Sequence, residues 1–128
     1  MTVAGVGCRK GATATEINAA IDAALKEAGC AQDALSLIAT SDGKGDERGL
    51  IEAAQGRGVQ LVLVKPTALE AAGPRTRSFS PRVKEMFGVP SVAEAAALAA
   101  AGPEAALLVP RIVVGPVTCA IAGAGSEA

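Results

Sequence analysis

The stretch VAGVGCRKGATATEINAAIDAALKEAG, residues 3 to 29, changes its hydrophobic period once, and that change decides the fold. Residues 2 to 8 form a short apolar run broken only by small residues, the pattern of a strand buried on both faces. From Thr13 onward the apolar positions Ile17, Ala20, Ile21, Ala24, Leu25 and Ala28 recur at helical intervals. Thr13 and Glu16 have the spacing of a capping box, and Gly29 is placed to stop the helix. A buried strand that passes through a glycine loop into an amphipathic helix is the building unit of α/β folds.

Outward from this unit the alternation continues. Leu35 to Thr40 (LSLIAT) reads as a second strand, followed by the polar loop SDGKGDE and a helix with Leu50, Ile51 and Ala54 on its apolar face. Gly56 and Gly58 end that helix, Gln60 to Val64 form a third strand, and Pro66 terminates it. Residues 66 to 90 contain Pro66, Gly73, Pro74, Pro81 and Pro90 among Arg75, Arg77, Arg82 and Lys84, and read as an irregular surface segment. Ser91 and Glu94 make a second capping box for a helix to about Ala101, which Gly102 and Pro103 stop. The tail LLVPRIVVGPVTCAIAG holds two β-rich runs around Gly115 and Pro116, a closing antiparallel hairpin. The expectation is a three-layer α/β/α sandwich with a mixed, mostly parallel five-stranded sheet, as one domain over residues 1–128.

Composition excludes several classes of function. The 128 residues suit one ordinary core, whose volume comes from Ala, Val, Leu and Ile; Phe79 and Phe87 are the only aromatics. That leaves no aromatic platform for stacked bases. Twelve basic against thirteen acidic side chains create no global field toward nucleic acid or an anionic membrane, so an anion must be met by a local patch. The chain has no His, hence no Ser/His or Cys/His nucleophile and no imidazole metal ligand; no metal site and no cofactor are expected. Cys8, Cys30 and Cys119 form no CxxC pair and are odd in number, which points to the cytoplasm. The first residues lack a basic region followed by a long apolar one, and the Ala-rich stretch 91 to 109 is interrupted by Glu94, Gly102, Pro103 and Glu104, so neither export nor a membrane span is expected.

Two loops carry the candidate chemistry. Gly5, Gly7 and Gly11 give GxGxxxG, one residue longer than the dinucleotide fingerprint, at a strand-to-helix junction where backbone N–H groups and Arg9 and Lys10 favour an anion. The plainer alternative is a tight turn whose glycines serve backbone geometry alone. Cys8 stands beside two cations and a helix N-terminus, surroundings expected to depress a thiol pKa, although small buried cysteines are also common at strand ends. In the second loop, Thr40, Lys44 and Glu47 stand where neighbouring parallel strands share a crevice; a solvated loop that starts a helix is the alternative. Lys44 is followed by Gly45, so no Walker sequence exists. Capping explains Ser91 and Glu94 adequately, and Arg111 and Thr118 on the last hairpin stay open.

The blocks GVGCRKG, IAT…K..ERGL, GVPSVAEAAAL and TCAIA, in this order over nearly the whole chain, resemble the CobE/CbiG C-terminal family of cobalamin biosynthesis. The resemblance implies an α/β sandwich and a place in corrin-ring construction, with a precorrin or corrinoid intermediate as ligand and other pathway enzymes as partners. Carried over by motif, it marks Gly7, Cys8, Arg9 and Gly11, then Thr40 and Lys44, then Ser91 and Glu94, and Thr118; Lys10 joins them on charge. CbiG-type proteins open a ring lactone, so a hydrolase with Glu94, Glu47 or Asp42 as base, or with Cys8 in a catalytic role, is the second reading. A small nucleotide- or phosphate-binding enzyme is the third, and a purely structural partner of a pathway enzyme the fourth.

Overall fold

The computed structural model describes residues 1–77 and 91–124. Strands β1 (Thr2–Cys8), β2 (Leu37–Ser41), β3 (Gln60–Val64), β4 (Ala105–Val114) and β5 (Val117–Ala124) form one sheet in the order β3-β2-β1-β5-β4. The pairs β1/β2 and β2/β3 are parallel, while β1/β5 and β4/β5 are antiparallel. Four of the five strands therefore point the same way and β5 alone runs against them. Helices α1 (Ala14–Glu27) and α2 (Arg48–Arg57) pack on one face, and α3 (Pro66–Ala72) and α4 (Val92–Ala101) on the other. This is the expected mixed three-layer architecture.

Local chemistry accounts for the helix ends. Thr13 accepts from the Glu16 amide and the Glu16 carboxylate accepts from the Thr13 amide, a complete capping box. Ile17, Ala20, Ile21, Ala24 and Leu25 are buried as the period required. On α2 the buried residues are Gly49, Leu50, Ala53 and Ala54, so Ile51, expected inward, lies on the exposed side. The hairpin forms as expected, with Gly115 at φ 58° in the first central position of a two-residue turn.

The segment after β3 departs from expectation. Pro66 does end the strand, but it then occupies the first position of α3, where its missing N–H costs nothing and its fixed φ is already helical. Gly73–Arg75 add a 3-10 turn, and the Arg75 guanidinium donates to the carbonyls of Gly102 and Ala105. Phe79, Pro81, Arg82, Lys84, Phe87 and Pro90 lie outside the described residues.

Candidate functional site

The carboxyl ends of β1 and β2, the tip of the β4–β5 hairpin and the start of α4 enclose a cleft of about 250 Å³. It lies on the α4 face of the sheet. In open α/β sheets this edge is where crevices form, because connections leave neighbouring strands in different directions. Gly7 and Thr118 are paired across β1 and β5, and the Thr118 hydroxyl donates to the Gly7 carbonyl at 3.2 Å. Thr40, fully buried, donates to the Val6 carbonyl at 2.7 Å. The turn is tied to the first loop through the Arg9 amide, which donates to the Pro116 carbonyl at 3.0 Å.

Six of the expected residues come together here: Gly7, Cys8, Arg9, Thr40, Lys44 and Thr118 all line the cleft. Lys10, Gly11 and Ser91 do not. Lys10 is exposed, and Gly11 belongs to a separate shallow groove with Glu47, Arg48 and Glu52. The Gly11 amide faces the Glu47 carboxylate at 3.3 Å, the Ala12 amide donates to the Arg9 carbonyl at 3.1 Å, and the Thr13 amide serves the capping box. Much of the backbone expected to receive an anion is thus engaged within the chain. Gly5 and Gly7 lie inside β1 itself, and a Cβ at Gly5 would stand 1.9 Å from the Ala93 carbonyl oxygen. That glycine serves close helix packing.

Ser91 and Glu94 also depart from a simple capping box. Ser91 does accept from the Glu94 amide, at 3.3 Å. The Glu94 carboxylate, fully buried, instead accepts from the backbone amides of Arg77 at 2.6 Å and Arg111 at 2.8 Å. Arg111 can offer that amide because β4 is irregular: its register against β5 shifts between Leu107 and Val109 and again between Val109 and Ile112, around Pro110. Proline is tolerated on such an edge strand, and a bulge re-aims the residue beside it. The result is a half-buried Arg111 side chain in the cleft wall.

The cleft's electrostatics are one-sided. Arg9, Lys44 and Arg111 line it, and among the described residues no carboxylate does. None of the three enters an ion pair among the described residues. Cys8 differs from expectation: burial pushes its thiol pKa up, Lys44 opposes this, and Glu47 adds to it. The flanking cations do not make it a ready thiolate. Ser41, Val92, Arg111 and the hairpin tip complete the lining and are not among the ligand contacts expected from sequence; Pro110 within a β-rich run is the one available signal for a bulge beside Arg111. Among the described residues no group of His, Cys, Asp or Glu is placed to hold a metal ion, and no helix is long and apolar enough to cross a membrane.

Residues 2–122 match the family model described as cobalamin synthesis G C-terminus. Protein CobE from Sinorhizobium sp. is 38% identical over 121 residues, covering 94% of this chain and 79% of that protein. The crystal structure of CobE, a protein from the cobalamin (vitamin B12) biosynthetic pathway, superposes with a TM-score of 0.90 at 35% identity, covering 95% of this chain and 89% of the other. That of cobalamin biosynthesis protein chiG from Agrobacterium tumefaciens gives 0.77 at 42% identity, covering 98% and 100%.

Proposed function

The chain belongs to the cobalamin synthesis G C-terminus family and is a protein of cobalamin biosynthesis, and from that premise we propose that it binds a precorrin or corrinoid intermediate at the cleft. The observation that carries this reading is the convergence of Arg9, half-buried Lys44 and half-buried Arg111 on a cleft with no carboxylate in its described lining. Corrin intermediates bear several acetate and propionate arms. Each charge-assisted bond to a carboxylate contributes about 1.5–3 kcal/mol, less for exposed Arg9, whose charge solvent screens. A volume of about 250 Å³ is below the usual range for an enclosed organic ligand, about 300–1,000 Å³, so the cleft takes an arm of the macrocycle and leaves the ring outside.

The same geometry favours carriage over hydrolysis. Of the candidate bases, Glu94 is fully buried and accepts two backbone amides, Glu47 and Asp42 are not in the cleft lining, and Cys8 is held toward its neutral form. The nucleotide reading loses support from Gly5 and Gly7 being strand residues.

A spectral titration with hydrogenobyrinic acid tests the proposal. Binding with a Kd of about 1 μM corresponds to about 8 kcal/mol, within reach of two or three such contacts after association costs. Lys44→Ala and Arg111→Ala should each weaken it by about tenfold, while Lys10→Ala should leave it unchanged. No binding, or equal losses at all three positions, overturns the reading. NAD, NADP and ATP should not shift the melting temperature.

A further inference from the structure

One buried polar atom of a residue that lines the cleft is left unsatisfied among the described residues. Ser41 closes β2, is 3% exposed, and its Oγ has no hydrogen-bond partner among the described residues. Buried hydroxyls are nearly always paired, because leaving one dry and alone forfeits its bond to water without replacement. The neighbouring hydroxyls are committed: Thr40 donates to Val6 and Thr118 to Gly7. Among the described residues of the lining, Ser41 is therefore the hydroxyl whose proton is still to be donated. It shares the cleft with Lys44, three residues on along the same β2 exit, and with Arg111 across from it on β4, both of which are donors only. A site made of one neutral donor and two cations asks for an acceptor that carries negative charge.

We propose that Ser41 Oγ is the inner donor of a subsite that takes one free carboxylate arm of the ligand, with Lys44 and Arg111 as its charge partners, in preference to the same arm as a primary amide. The proposal rests on the corrinoid-binding reading and goes further: it names the group that enters and places the protein's action on ligands whose arms are still acids. A carboxylate accepts from all three donors with charge assistance, whereas the neutral amide accepts with its carbonyl alone and turns its own N–H donors toward cations.

The test compares wild type with Ser41→Ala in two measurements, melting temperature and titration with hydrogenobyrinic acid and with the same compound after its acid arms are converted to primary amides. Ser41→Ala should melt at or above the wild-type temperature, since no internal hydrogen bond is lost, and should bind the acid about tenfold more weakly. Wild type should prefer the acid to the amide, and the variant should show less of that preference. A variant that melts lower and binds the acid as wild type does would assign the hydroxyl to the fold and overturn the proposal, as would equal affinity for acid and amide. If wild type fails to bind the corrinoid at all, the reading of function falls separately. Glutarate followed by amide NMR then decides the subsite: saturable shifts at Ser41 and Lys44 that Ser41→Ala abolishes uphold it, and their absence overturns it.

Discussion

The two faces of the sheet are packed by different means. Against α1 and α2 the sheet presents Ala4, Val6, Ile38, Val109 and Ile121, which meet Ile17, Ile21, Leu25 and Leu50, so that face is filled by branched side chains. Against α4 it presents Val3, Ala39, Ala120 and Ala122 around Gly5, and the helix answers with Ala93, Ala95, Ala96 and Ala97. There the helix backbone lies almost on the strand, filling space by proximity where the other face uses volume. Close approach has a functional consequence. It sets Val92 in the cleft wall and brings Glu94 within reach of the Arg111 amide, so the tightly packed face is the one that builds the cleft.

Breaking the close approach should have the largest effect. A Cβ at Gly5 would sit 1.9 Å from the Ala93 carbonyl oxygen and 2.7 Å from the Ala97 amide nitrogen, and neither is a flexible side-chain end that can step aside. Gly5→Ala is expected to cost about 3 kcal/mol, at the upper end of overpacking effects. Gly5→Val should remove most of a stability of about 5–15 kcal/mol and leave no cooperative unfolding transition by circular dichroism. The branched face should instead be sensitive to loss of volume. Ile21→Ala, at a fully buried site, should cost about 2–5 kcal/mol in urea unfolding with an unchanged slope, and Ile21→Val about 1 kcal/mol. Were Gly5→Ala to cost no more than Ile21→Val, the contrast between the two faces would not hold.

The same contrast explains what was legible in the sequence. The α1 face was readable because large apolar residues stand out against Glu16, Asp22 and Lys26 at a helical period, and each expected inward residue from Ile17 to Leu25 is buried. On α4 every residue from Val92 to Leu98 is buried, and a nearly uniform run of alanines has no period to show which side meets the strand. In sequence Gly5 accordingly reads as one of the loop glycines, since what it meets is nearly ninety positions away in the chain. The site follows the same logic. Gly7, Cys8, Arg9, Thr40 and Lys44 were within reach because parallel strands bring successive loops to one edge. Arg111 and the hairpin tip enter only because β5 returns between β1 and β4, a long-range pairing that local pattern does not encode. Ile51 fell on the wrong side because α2 turns Gly49 inward against the Ala12 carbonyl, rotating its apolar stripe.

A pH-dependent effect reports on the branched face alone. Cys119 lies fully buried between β5 and the α1 and α2 layer, and burial pushes its thiol pKa from 9.0 up to about 12, with Arg57 opposing. In the unfolded chain the thiol ionises near its ordinary value, so above that pH the unfolded state gives up a proton that the folded state keeps. A folded pKa raised above the unfolded one means stability fully present below pH 9 and lost as pH rises toward 12. At pH 10, one unit past the unfolded value, the loss from this group amounts to about 1.4 kcal/mol. Wild type and Cys119→Ala should therefore differ by a constant offset from pH 7 to pH 8.5, the offset reflecting the packing change, and should converge by about that amount at pH 10 in urea unfolding. Parallel curves would mean that the thiol is ionising freely in the folded protein, which requires water to reach a layer the packing has closed.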